Sequence, residues 1–391
     1  MKEPSISSSP QWNKTRISST LGIEYPIIQG PLGGLSTQRL TATVSNFGGL
    51  GSFGAHGSSP SAIEEAITEI RALTSKPFAI NLWVSMEDEG ARTSGSEAFA
   101  RSLTPLAGHI QALGGTLPAY KPYTPIKFED QMRVLLDAKV PVFSFIYGIP
   151  PKELLDECRA QGIVTIGAAT TPDEAIALEQ AGVDAIAASG FEAGGHRGSF
   201  LRAAEESLTG TFSLVPQIAD AVSVPVVAAG GIGDARGIVA AFALGAEGVQ
   251  IGTAFLACEE SGASLHHRNA LLGGNARRTG LTRGFTGRLA RGIHNQLLEE
   301  LNRAGVEILP YPLQRTLVKN LSILAEKDAK LELLPLWAGQ SANLSQQSNA
   351  NTLLQTLVSE VSAIAGPVLR WNDERSGKMK HASKLSRSED I

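Results

Sequence analysis

The run ASGFEAGGHRGSF, Ala188–Phe200, sets one imidazole, His196, among four glycines. Imidazole exchanges its proton near pH 6.5, and glycine lets a backbone turn sharply and approach a ligand closely. His196 is therefore a candidate catalytic group. It takes a substrate proton as a general base, or it hydrogen-bonds an anionic substrate; the residues alone leave both roles open. Glu192, four residues upstream, orients the loop or is solvated, and Arg197 meets an anion or water. A second chemistry is suggested by Gly230 and Gly231 in AAGGIGDARG and by Gly252 and Thr253 in GVQIGTAF. Backbone N–H groups at such turns converge on phosphate oxygens with no Cβ in the way. No Walker lysine follows, so a nucleoside triphosphate is not expected. His56 in GAHGSSP, His294 in RGIHN and Gln340 in LWAGQ are candidates for the substrate side. His266 and His267 are expected to be solvated on a polar helix, and no grouping of ligands predicts a metal site. Arg283, Arg288 and Arg291 form a basic stretch that caps helices or binds an anion. Trp83 and Phe145, near strand ends, pack in the core or flank a ligand.

These residues need a frame. Short apolar runs rich in β-branched residues read as strands: YPIIQG, GLGSFGA, PFAINLWV, PVFSFIYG, IVTIGAA, DAIAASG, PVVAAGG and GVQIGTAF. They are continuously apolar, which suits parallel strands buried on both faces. Helical patterns separate them, several opening on Ser, Thr, Asp or Pro and closing on Gly, as Asp173, Glu174 and Gly182 do. Eight strand-then-helix units predict an α/β fold, a (β/α)8 TIM barrel, whose chemistry lies at the carboxyl ends of the strands. The regularity breaks after NLWV, where a long polar and glycine-rich excursion precedes PVFSFIYG. Past Phe255 the chain turns polar and basic. The expected organisation is a mobile tail over 1–12, a cofactor-binding barrel over 13–257 and a smaller helical substrate cap over 258–334. A return to the barrel with a last helix follows over 335–372, and a second mobile tail over 373–391.

Composition narrows the class. The 391 residues are 42% hydrophobic and 18% charged, with a formal net charge of −4. That balance suits a globular enzyme and offers no nucleic-acid surface. No apolar run reaches the ~18 residues of a membrane span. The two cysteines are far apart, which predicts no disulfide framework and fits a reducing compartment. The polar start MKEPSISSSPQWNKTR has no apolar core of a secretory signal. A cytoplasmic protein is expected.

EAGGHRG, AAGGIGDARG, GVQIGTAFLACEES, TRGFTGRLARGIHN and LWAGQ together resemble the nitronate monooxygenase family (once called 2-nitropropane dioxygenases), class I type, over about residues 20–365. The resemblance implies a barrel that holds FMN and oxidises alkyl nitronates with O2 to carbonyl compounds and nitrite. It implies that His196 is the catalytic histidine. It places Asn81, Gly194, Gly230 and Gly231 against the flavin, with Gln250, Ile251, Gly252 and Thr253 in the phosphate segment. Two positions depart from the family pattern. Gly30, Pro31 and Leu32 stand where Ala-Pro-Met is usual, and Ser189 stands where a glutamine is usual; both groups are still expected beside the flavin. The expected partners are a small nitronate and O2, and a homodimer is compatible with the pattern. EAGGH is shared with flavin-dependent enoyl-ACP and quinone reductases. An NAD(P)H-dependent flavin reductase is accordingly the alternative reading.

Overall fold

A computed structural model describes residues 11–365 except Pro125 and Ser345. Eight parallel strands form its centre: β1 (Ile27–Gln29), β2 (Gly51–Gly54), β3 (Phe78–Trp83), β4 (Val142–Ile146), β5 (Val164–Ala169), β6 (Ala185–Ser189), β8 (Val226–Ala229) and β9 (Gly248–Ile251). They are ordered β1-β9-β8-β6-β5-β4-β3-β2. Gln29 N–H donates to the Leu50 carbonyl at 2.9 Å and Leu50 N–H to Ile27 at 3.0 Å, which closes the sheet into a barrel. All eight lie within the apolar runs that predicted them.

Alternation explains why those runs are apolar throughout. Ile28, Ala79, Val142, Ile166, Ala185 and Val227 pack inside the barrel with Leu50. Their neighbours Ile27, Ile80, Phe143, Ile186 and Ala228 pack outward against the helices. Both faces of each strand are largely dry, so the few polar side chains within them are hydrogen-bonded, as Gln29 is to Ser52 N–H and Asn81 to Ser144 Oγ. Ile17 and Leu21, on the short helix Arg16–Leu21, join the interior cluster. Ile17 lies against Gly248, the first residue of β9, and so plugs the amino-terminal mouth. Several of the surrounding helices start as the cap residues predict. Thr171 accepts from Glu174 N–H at the head of Pro172–Ala181, and Gly182 ends that helix at φ +84°.

Three parts of the expected organisation change. Trp12 belongs to the core, not to a tail. Its Nε1–H donates to Ser362 Oγ at 2.9 Å and its ring stacks on Tyr25. Indole is large enough to make that burial decisive. Residues 1–10 and 373–391 of the expected tails lie outside the described residues. The cap is not purely helical. Between the helices Leu265–Leu272, Gln296–Leu301 and Leu313–Lys327 it carries β10 (Thr279–Thr282) and β11 (Ala290–Ile293). These form an antiparallel sheet with the two-residue strand β7 (Gly195–His196). Nor is the cap's core its own. Phe99, Leu103, Leu106 and Ile110, on the helix Ser96–Ala112 of the excursion after β3, share one cluster with Phe285, Leu297, Leu317 and Leu321. The apolar faces of both segments are completed by each other.

Candidate functional site

Every barrel strand delivers a residue to one cavity of about 920 Å³ at the carboxyl-terminal mouth. Gly30, Pro31 and Leu32 come from the turn after β1, His56 from the turn after β2 and Trp83 from the end of β3. Ile146, Thr170 and Ser189 come from the ends of β4, β5 and β6. Gly230 and Gly231 follow β8, and Gly252 and Thr253 follow β9. Asn81, Gly194 and Gln250 also line it.

One wall is backbone. Gly230 and Gly231 adopt φ +95° and +73°, a region that side chains disfavour. A Cβ on Gly230 would also lie 2.9 Å from the Gly190 carbonyl. Gly194 is required by close approach, since a Cβ there would fall 2.6 Å from the Ala338 and Gly339 backbone. That backbone segment stitches the wall together. Gly339 N–H donates to Thr253 Oγ1 at 2.9 Å and Gln340 N–H to the Glu192 carbonyl at 2.9 Å. Gly252 differs from the others. A Cβ there meets nothing nearer than Leu32 Cδ2 at 3.9 Å and would project into the cavity. Such a surface suits a phosphate and the edge of a flat ring, which fits the flavin that the sequence motifs imply.

A second wall of the same cavity is side chains. Trp83 is its hub. His56 stacks on the Trp83 indole with centroids 3.8 Å apart and 3° between planes, and His196 meets the indole edgewise at 4.9 Å. Trp337 lies 5.3 Å from His196. His196 Nε2 shares a 2.9 Å hydrogen bond with Thr286 Oγ1, leaving Nδ1 without a partner among the described residues. Its backbone is fixed by pairing with Ala290. Burial, with the positive charges of Arg288 and Arg315, holds its pKa down at about 3. The ring is neutral across the physiological range. His56 is pushed well below the usual value by burial, by Arg315 and by His196 itself. Its buried Nδ1 has no hydrogen-bond partner.

Several expected side chains go elsewhere. Ile251 faces the packed side of the barrel wall. His294 is turned away, its Nδ1 3.4 Å from Glu299, and Gln340 is exposed while its neighbours Gly339 and Ser341 line the cavity. Arg197 is neither solvated nor a ligand for an anion. It is buried, bound to the carbonyls of Ser189, Thr170 and Ser207, and burial lowers its pKa to about 10. Glu192 orients the loop by accepting from Thr211 N–H at 2.9 Å. His267 is buried, not solvated, with Nε2 2.9 Å from the Trp337 carbonyl. Arg283 pairs with Glu205, and Arg291 donates to the Phe191 carbonyl. Arg288 pairs with Asp88 at 2.7 Å beneath Tyr147 and Tyr311. Phe145 is core. Phe285, Thr286 and Trp337 lie within the motifs TRGFTGRLARGIHN and LWAGQ yet are not among the expected site residues, and Arg315 reaches the cavity without any local motif to announce it. Among the described residues no cluster of His, Cys, Asp or Glu could hold a metal, and no helix is long and apolar enough to cross a membrane.

Residues 14–360 match the model of a family described as Nitronate monooxygenase. A probable nitronate monooxygenase of Staphylococcus aureus (strain Newman) is 41% identical over 354 residues, 90% of this chain and 99% of that protein. Among solved structures, a nitroalkane oxidase from Streptomyces ansochromogenes superposes with a TM-score of 0.80 at 36% identity, covering 89% of this chain and 98% of that one. FabK from Thermotoga maritima superposes with a TM-score of 0.70 at 28% identity, covering 92% and 99%.

Proposed function

The chain belongs to the nitronate monooxygenase family and is an oxidoreductase, and from that premise we propose that it binds FMN and oxidises alkyl nitronates with O2 to carbonyl compounds and nitrite. The observation that carries this reading is one cavity lined both by a glycine-built backbone surface and by a histidine–tryptophan cluster. FMN, when bound, supplies an acceptor that takes electrons from a substrate and passes them to O2. Backbone at Gly230, Gly231, Gly252 and Thr253 would hold its phosphate. Gly30, Pro31, Leu32, Asn81, Ser189, Gly194 and Gln250 would flank the remainder.

The chain's own residues decide which substrate form is used. An imidazole that holds its proton only below about 3 is a weak base for a neutral nitroalkane. His196 acts instead as a hydrogen-bonding group for a nitronate that arrives already ionised. Thr286 fixes the ring through Nε2, so Nδ1 is the nitrogen left for the substrate. Trp83, Trp337 and Phe285 exclude water around it. Residues 13–257 carry the cofactor and 258–334 cover the substrate, in a cytoplasmic enzyme that works as a homodimer. Anaerobic mixing tests the reading. Bleaching of the bound flavin by an alkyl nitronate supports it. Bleaching by NAD(P)H and not by nitronate would replace it with the reductase reading that the likeness to FabK keeps open.

A further inference from the structure

The helix Leu313–Lys327 lines the cavity along one side, and Arg315, Lys319 and Lys327 fall on that side. Lys319 and Lys327 are exposed at the mouth, whereas Arg315 is half-buried further in. Its guanidinium fills a slot between the turns after β1 and β2. A Cβ on Gly34 would lie 4.0 Å from Nη2, and one on Gly57 3.4 Å from Nη1. The other arginines around the site are matched. Arg288 has Asp88, Arg283 has Glu205, and Arg197 has three carbonyls. Arg315 makes no ion pair among the described residues; it donates one long hydrogen bond there, Nη1 to Tyr311 Oη at 3.5 Å. Glu326, the acidic residue of that face, lies about three helical turns away along the axis. An unmatched guanidinium in a largely apolar cavity is a site for an anion, and its planar fork suits two oxygens on one atom. The group beside it repeats the pattern, since His56 Nδ1 is buried with no partner and the field of Arg315 falls on both imidazoles.

We propose that Arg315 is the residue that binds the anionic oxygens of the substrate, holds them against His196 and His56, and selects a nitronate over the neutral nitroalkane. This rests on the nitronate reading above. Lys319 and Lys327, outside it, draw the anion toward the mouth.

The test uses the full-length flavoprotein and its Arg315→Gln and Arg315→Lys variants. Two probes are applied: steady-state turnover of an alkyl nitronate against its neutral nitroalkane, and titration with sodium nitrate read in the flavin spectrum. Arg315→Gln is expected to raise the nitronate KM about 10- to 100-fold, the range for losing one charged hydrogen-bonding partner, with a smaller change in kcat. The nitroalkane KM should move far less. Arg315→Lys, which keeps the charge and loses the fork, should fall between. Nitrate should perturb the wild-type spectrum and not that of Arg315→Gln. In the same variant the His196 imidazole, followed by NMR, should titrate higher, because a facing positive charge is gone. An unchanged nitronate KM in both variants, or an equal rise for both substrates, overturns the proposal. A wild-type protein that binds nitrate through Arg315 and oxidises no nitronate would leave the anion site standing and remove the functional reading instead.

Discussion

The two walls of the cavity are built by opposite means. The glycine wall is backbone, contributed by strand ends of the barrel and tied by Gly339 to Thr253. The histidine wall is side chains, and much of it comes from beyond the barrel: Thr286 from the β10–β11 connection and Arg315 from the helix Leu313–Lys327, both in the cap, and Trp337 from the return segment. A backbone wall can be specific for a cofactor shared by many relatives, because φ angles and close approaches leave little room to vary. A side-chain wall can change with the substrate while the other stays fixed. The strand β7 joins them. Gly194 belongs to one wall, His196 to the other, and Gly195 at φ +77° makes the turn between.

The separation can be broken most severely at Gly252. Its φ of −104° is open to any residue and its Cβ would meet only cavity. Gly252→Val should therefore fold with nearly the wild-type melting temperature, yet purify without flavin and without activity. A yellow, active Gly252→Val protein would mean that the cofactor does not lie against this wall. His196→Ala should behave in the reverse way. Flavin content stays, and nitronate turnover falls roughly 100-fold, the scale for removing one preorganised hydrogen-bonding group. Loss of flavin in that variant would show the walls to be one unit.

The same contrast explains what was legible beforehand. The eight strands and the glycine turns are local features, carried by contiguous apolar runs and glycine-rich strand ends, so Gly230 and Gly252 were readable in place, whereas Asn81 was reached only through the family resemblance. His196 was readable because it interrupts a glycine run. Arg315 was not, because the spacing that matters is across space. It sits in an ordinary amphipathic helix, LQRTLVKNLSILAEK, whose cationic face looks like any solvated one. Arg197, in a loop, and His267, on a polar helix, misled for the same reason, since charge and polarity in such segments predict exposure unless carbonyls far along the chain pair with them. Ile251 failed by alternation, because within a strand the residue beside a cavity-facing Gln250 must point away. The strands β10 and β11 escaped because glycine-punctuated basic segments carry little of the period-two pattern.

Protonation offers a gentler test. His196 stays neutral in the folded protein down to about 3, while the unfolded chain takes up its proton near 6.5. Between those values the unfolded state binds more protons, so stability falls as the pH falls, by about 1.4 kcal/mol per pH unit for each such group. His56 and His267 are shifted in the same direction by burial. Melting temperatures taken from pH 7 to pH 4 should drop less steeply for His196→Gln than for wild type. Parallel curves would show that the side-chain wall does not keep that imidazole dry.

The smallest effects should come from residues that sit beside the walls without belonging to either. His294 faces Glu299 at 3.4 Å on an exposed carboxylate, and such pairs contribute about 0–1 kcal/mol. The Gln340 side chain is exposed; only its N–H, bound to the Glu192 carbonyl, serves the wall. His294→Ala and Gln340→Ala should leave flavin content, nitronate kcat and KM at wild-type values. Gln340→Pro should not, because it deletes the N–H that ties the return segment to the β6 turn while changing little else at the surface. If Gln340→Ala alone raised the nitronate KM, the outer rim would have to be counted with the side-chain wall, and the boundary between the two would move from Gly339 out to the surface.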